Sequence, residues 1–148
     1  MHKQLPSLVD AFLNYFDVDL ADSPAQRERV DRLRYQVYCR EFGWLEANAH
    51  PDHLENDEFD SHSFHCLITH RRSGRAAGCV RVIHASDQHV LPLEANCHES
   101  VYLDYLETLA QDRDTVCEFS RLAVDPGFRK RPGEDRSQPD DYNAMGCC

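Results

Sequence analysis

Apolar positions near the start of the chain recur three and four residues apart. Leu8, Val9, Phe12, Leu13 and Phe16 line one side of a helical wheel, which predicts a short amphipathic helix over 6–16. A second helix opens at Ser23, whose hydroxyl suits the N-cap, with Pro24 in the first turn and Gln26 completing a capping box. Its apolar stripe runs through Val30, Leu33, Val37 and Tyr38 until Phe42-Gly43 stops it. Residues 45–58 are polar, contain Pro51 and read as a loop. Two strand-like runs follow, 64–70 and 78–85, joined by Arg71-Arg72-Ser73-Gly74-Arg75 in the manner of a hairpin. Helical spacing returns over 99–110 through Val101, Tyr105, Leu106 and Leu109, and a strand over 115–124 ends at Asp125-Pro126-Gly127. From Gly133 onward, Asp, Pro, Ser and Gly dominate and apolar residues almost vanish, the composition of a disordered tail. The order helix, helix, strand, strand, helix, strand predicts an α+β or mixed α/β domain.

Composition narrows the function classes. A length of 148 residues suits one domain with one core. No apolar run approaches bilayer length and the first six residues lack the apolar region of a secretory signal, so the expected location is cytoplasmic. A net charge of -10 argues against non-specific binding to nucleic acid or an anionic membrane. The charge is uneven, with an acidic stretch from Asp52 to Asp60 and a basic cluster at Arg129-Lys130-Arg131. The cysteines and histidines are scattered without a C-x-x-C or H-E-x-x-H spacing, which favours reduced thiols and no metal over a zinc group built from His62, His65 and Cys66.

Four local patterns can carry chemistry. Arg34 and Tyr38 share a helix face and Trp44 follows its end; taken singly, this suits a helix that packs Tyr38 and Trp44 inward while Arg34 snorkels to water. The carboxylates of Glu55-Asn56-Asp57-Glu58-Phe59-Asp60 fit a solvated loop, a cation site or an anchor for arginines; alone, the solvated loop is favoured. Arg81 shares a strand face with Cys79 and Ile83, which favours pairing with a carboxylate. In Cys117-Glu118-Phe119-Ser120-Arg121, a regular strand points Glu118 and Arg121 to opposite sides, so a shared cleft requires a bulge between them.

In order, Arg34, Tyr38, Trp44, Asp57, Asp60, Arg81, Glu118 and Arg121 resemble the signature of acyl-homoserine lactone synthases, with Tyr38 where that family has Phe. The phrases Leu33-Arg34-Tyr35-Gln36-Val37-Tyr38, Glu55 to Asp60, Leu91-Pro92-Leu93-Glu94 and Glu118 to Val124 are closer to the related PEP-CTERM/exosortase system-associated acyltransferases, described as N-acyl amino acid synthase-like. The resemblance covers roughly residues 28–131. It implies a GNAT fold, a mixed sheet with flanking helices, of which residues 1–132 would form the N-terminal part and 133–148 a disordered or truncated tail.

The implied activity is transfer of a fatty acyl group from an acyl carrier protein, or from CoA, to an amine such as that of an amino acid. No tightly bound cofactor is implied; the acyl-phosphopantetheine thioester is a co-substrate. By the same resemblance Glu118, Arg121 and Arg81 would be catalytic, while Arg34, Tyr38 and Trp44 would shape the acyl pocket. Asp57 and Asp60 would anchor arginines, and Gly127, Arg129, Lys130 and Arg131 would cradle phosphopantetheine. The alternative expectation is a catalytically incomplete fragment acting as a binding or scaffold module.

Overall fold

Ser7 and Ser23 open helices by the same reciprocal device. In the computed structural model, which describes residues 7–97 and 113–129, Ser7 Oγ accepts from the Asp10 N–H at 3.1 Å and the Asp10 carboxylate accepts from the Ser7 N–H at 3.2 Å. Helix α1, Leu8–Tyr15, follows. Ser23 and Gln26 repeat the arrangement, with Pro24 at the first helical position of α2, Pro24–Arg34. Each cap satisfies N–H groups that the helix cannot, and is worth about 1 kcal/mol.

The second helix differs from expectation beyond Arg34. Residues Tyr35–Glu41 form a π-helical segment, closed by the Phe42 N–H donating to the Val37 carbonyl at 3.0 Å. Tyr35, Val37 and Cys39 are all buried there, a two-residue spacing that a regular helix does not place on one face. Gly43 then turns the chain with φ +62°.

Strand β1, Phe16–Leu20, was not anticipated, because Phe16 also completes the helical stripe of α1. The strands β2, Ser63–His70, β3, Ala76–His84, and β4, Cys117–Val124, match the expected runs closely. The four strands form one sheet in the order β1-β2-β3-β4, each pair antiparallel. Helix α3, Pro92–Asn96, is a further short element. The helix expected over 99–110 and the tail from 133 lie outside the described residues. The α/β architecture with flanking helices is as expected. Among the described residues, no helix is long and apolar enough to cross a membrane.

Two apolar clusters sit on the sheet face that α2 covers. Val30, Leu33 and Val37 pack against Leu67, Cys79 and Ala123, while Phe59, Ile83, Ala85 and Leu91 form the second group. Leu67 and Ile83 are essentially inaccessible, and burial of each contributes about 2 kcal/mol. What matters for the site is the gap between the clusters. Along β3, Cys79 belongs to one cluster and Ile83 to the other, and Arg81 stands between them on the same face.

Candidate functional site

The pleat that gives Cys79 and Ile83 to the core also aims Arg81 inward. His65 on β2 and Ser120 on β4 are its direct cross-strand partners. A guanidinium in that position is 1% exposed, so its charge must be met inside the protein. Arg34, at the end of α2, is fully buried by the same geometry. It does not snorkel to water, because carboxylates of the 55–60 segment meet its charge inside the protein.

Three carboxylates from the 55–60 segment answer these cations. Glu55 accepts from Arg34 Nε through Oε2 and from Arg121 Nε through Oε1, the latter at 3.2 Å. Asp57 accepts from Arg121 Nη2 at 2.9 Å and from Arg81 Nη1. Asp60 Oδ1 accepts from Arg81 Nη1 at 2.9 Å and from Arg34 Nη1 at 2.8 Å. The contacts close into a six-member ring, Arg34, Glu55, Arg121, Asp57, Arg81, Asp60 and back to Arg34, in which opposite charges alternate and the formal charges cancel.

The 55–60 segment is therefore not a solvated loop. Its backbone is folded to serve the ring, as Asp57 caps the 3-10 turn Glu58–His62 and the Asp57 N–H donates to Asp60 Oδ2 at 2.8 Å.

Electrostatics follow from this enclosure. Burial alone would raise the Asp60 carboxyl, but the bonds from Arg34 and the Asp57 N–H, the charge of Arg34 and the nearby His65 ring hold it well below the usual carboxylate range. Burial likewise opposes the charge of Arg34, and its bonds to Glu55 and Asp60 outweigh that and hold the guanidinium protonated. Burial lowers the His65 imidazole, which approaches Asp60 Oδ1 at 3.3 Å but off the line of a good hydrogen bond. Asp31, beside the ring on α2, is raised by burial to about 6.

The ring is anchored on a break in β4. Cys79 pairs with Ala123, yet Arg81 pairs with Ser120, so β4 carries one extra residue at Arg121-Leu122. Arg121 takes φ +50°, the left-handed region that costs a residue with a side chain about 1 kcal/mol. The bulge required for Glu118 and Arg121 to share a face is present. Glu118 stands opposite Ile83, on the face of Arg81 and Ser120, and the extra residue brings Arg121 round to the same side.

The extra residue also leaves the Leu122 carbonyl free of β3, and Tyr38 Oη donates to it at 2.6 Å. Tyr38 in turn lies over Arg121, with the guanidinium carbon 5.9 Å from the ring centroid.

The remaining expected residues fall around this edge. Trp44 is not in the core. It is 67% exposed and stacks on Phe42 at 4.4 Å, with Tyr38 5.9 Å away. Arg129 folds back over Phe42 and forms a two-point ion pair with Glu41. Gly127 lies in the 3-10 turn Pro126–Phe128 that follows β4, and its N–H is taken by Asp125 at 2.8 Å. Lys130 and Arg131 lie outside the described residues. Glu118 is half-buried, and its Oε2 accepts from the Leu93 N–H at 2.9 Å. His65 and Cys66 point to opposite sheet faces, so His62, His65 and Cys66 do not converge.

The family profile described as "Acetyltransferase (GNAT) domain" matches residues 33–137, which takes in the ring, the bulge and the turn after β4. The chain belongs to the GNAT acetyltransferase family. No curated protein matches it significantly. Among solved structures it is similar to the AHL synthase LasI, at 18% identity and a TM-score of 0.48 over 88% of this chain. The chain spans 62% of that protein's length.

Within this GNAT domain, Glu55 is the ring member that the sequence reading named among the 55–60 carboxylates without giving it a role of its own. Its signal was its position two residues before Asp57 in a segment flanked by inward-facing arginines. His65 and Ser120 were missed; each is marked only by pairing across from Arg81, which a single sequence does not display.

Proposed function

We propose that this GNAT domain is an N-acyltransferase whose acyl donor, a phosphopantetheine thioester, lies along the bulged edge of β4. The observation that carries the reading is the Arg121-Leu122 bulge, held in a left-handed backbone conformation by two carboxylates of a buried ion ring. A regular edge strand uses its backbone groups evenly. A bulged one leaves backbone groups outside the ladder; Tyr38 takes the Leu122 carbonyl, and the N–H groups beside it can serve an extended, amide-containing arm. Among the described residues β4 pairs only with β3, so its outer edge is open to such an arm.

In the proposed reaction the amine nitrogen attacks the thioester carbonyl and the tetrahedral oxyanion is held by backbone N–H groups at the bulge. The C–S bond breaks, the amide forms and the departing thiolate takes up a proton. Glu118 serves as base through a water, using the carboxylate oxygen that Leu93 does not occupy. Arg121, 30% exposed on its side chain, is the member of the ring open to a substrate carboxylate, whereas Arg81 and Arg34 position it from below. Tyr38, Phe42 and Trp44 offer an apolar step beside the bulge for the acyl chain.

The finer reading follows the motif resemblance. The donor is an acyl carrier protein, the acceptor an amino acid, the setting the cytoplasm, and the kin the PEP-CTERM/exosortase-associated acyltransferases. By charge Lys130 and Arg131 suit an acidic carrier, whereas Arg129 is already paired with Glu41.

The test is amide formation. The protein is incubated with fatty acyl thioesters of a carrier protein or of CoA and a panel of amino acids, and products are resolved by mass spectrometry. An N-acyl amino acid with consumption of thioester is expected. Absence of any amide with both donors across the panel, from protein that is folded by circular dichroism, would overturn the reading.

A further inference from the structure

The hairpin connection Arg71-Arg72-Ser73-Gly74-Arg75 plays no part in the ion ring, yet it helps to enclose a separate cavity. That cavity, about 300 Å³, opens between α2, the β2–β3 hairpin and Asp125, and three arginines line it: Arg29, Arg32 and Arg75. Two of them have carboxylate partners. Arg32 pairs with Glu28 on the exposed face of α2, and Arg75 Nη2 lies 3.1 Å from both oxygens of Asp125. Arg29 differs. Its Nη2 donates to neutral oxygens, the Gly74 carbonyl at 2.8 Å and Thr69 Oγ1 at 3.2 Å, and it has no ion pair among the described residues. These bonds fix the guanidinium without neutralising it, so the cavity keeps one positive charge in excess on a protein whose net charge is -10.

We infer that this cavity is a binding site for a small phosphomonoester, with the phosphate between the Arg29 and Arg75 guanidinium groups and the organic part against Leu33 and Ala76. The chemistry of the lining carries the assignment. Guanidinium forks match the oxygens of a phosphate, and Arg29, bonded only to neutral oxygens, keeps the uncompensated charge that draws one. The hairpin holds the geometry because Gly74, at φ +67°, makes the reversal that presents its carbonyl to Arg29. Arg75 is also braced on the turn after β4, where its Nη2 lies within 3.4 Å of the space a side chain at Gly127 would fill. The site is open to solvent, and Leu33 and Ala76 give it an apolar wall for a carbon skeleton. The site does not depend on the acyltransferase reading, since it shares no residue with the ion ring or with Glu118.

Chemical-shift titration tests it. Amide signals of Gly74 and Arg75 and the side-chain Nε–H of Arg29 are followed as inorganic phosphate is added, with acetate at matched ionic strength as comparator. Saturable shifts at these groups are expected, with phosphate at least tenfold tighter than acetate. Arg29→Gln should weaken phosphate about tenfold, Arg29→Lys less, and Arg72→Gln, which removes the same charge outside the cavity, should leave affinity unchanged. Non-saturating shifts, equal affinity for acetate, or an equal loss in Arg72→Gln would overturn the assignment.

Discussion

Replacing Glu55 by Gln keeps the shape of the side chain and takes one charge out of the closed ring. Glu55 is 1% exposed and serves two arginines, one through each oxygen. The amide offers a single acceptor oxygen and points its NH₂ at a guanidinium, so one arginine loses its bond and the ring is left with a net positive charge. Breaking a buried ion pair by removing one partner costs about 3–5 kcal/mol. Arg34 retains Asp60, and Arg121 is 30% exposed on its side chain and relaxes toward water, which places Glu55→Gln at about 3 kcal/mol.

Arg121→Met removes a member of the same ring from its outer rim and should cost about 1 kcal/mol. Urea denaturation followed by far-ultraviolet circular dichroism separates the two, since a slope of about 1–3 kcal/mol per molar turns 3 kcal/mol into a midpoint shift of about 1–3 M. A double-mutant cycle with Arg34→Met should show about 1–3 kcal/mol of coupling. A Glu55→Gln protein within about 0.5 kcal/mol of the parent, or a strictly additive cycle, would show that the ring is not an energetic unit.

Four further predictions follow the same structure. At position 121 the usual order of substitutions should invert, with Arg121→Gly more stable than Arg121→Ala by about 1 kcal/mol in urea melts because φ is +50°; the reverse order would deny the left-handed bulge. For pH, the two displaced carboxyls act in opposite directions. The lowered Asp60 supplies stability present above its unfolded value of 3.8 and lost progressively as pH falls from there toward its lower folded value, so acid unfolding should set in below about pH 4. Asp31, raised to about 6, penalises folding as pH rises from 3.8 through 6, so Asp31→Asn should stabilise by about 1–2 kcal/mol at pH 7, after allowance for its partial exposure, and by little at pH 4. No difference between the two pH values would contradict the shift. Glu118→Gln keeps an acceptor for the Leu93 N–H and should preserve the fold while lowering the acyl-transfer kcat about 10²–10⁴-fold; an unchanged rate removes Glu118 as the base.

Much of this was legible in the chain because the signals were local. Ser23-Pro24-x-Gln26 states a helix start, and Arg81 among Cys79, Val80, Val82 and Ile83 states a buried charge that needs a partner. The bulge followed from asking how Glu118 and Arg121 share a face. What escaped was set by distant partners. Glu55, in a stretch that looks solvated, is buried by Arg34 and Arg121, which lie 21 and 66 residues away. Arg34 on an isolated helix snorkels; with Glu55 and Asp60 above it, it stays inside. Trp44 suggested a core residue by its type, yet Gly43 turns the chain so that the indole lies outside against Phe42. Strand β1 was hidden because Phe16 satisfies a helical and an alternating pattern at once.

In the proposed mechanism the bulged edge of β4 receives the thioester arm. Hydrogen exchange at the amides of Arg121 to Val124 tests it directly, measured with and without a non-hydrolysable acyl-pantetheine thioether. Exchange there should slow on ligand addition, and Arg29→Gln should leave the slowing intact. Unchanged exchange along β4, with protection confined to another part of the domain, would contradict it.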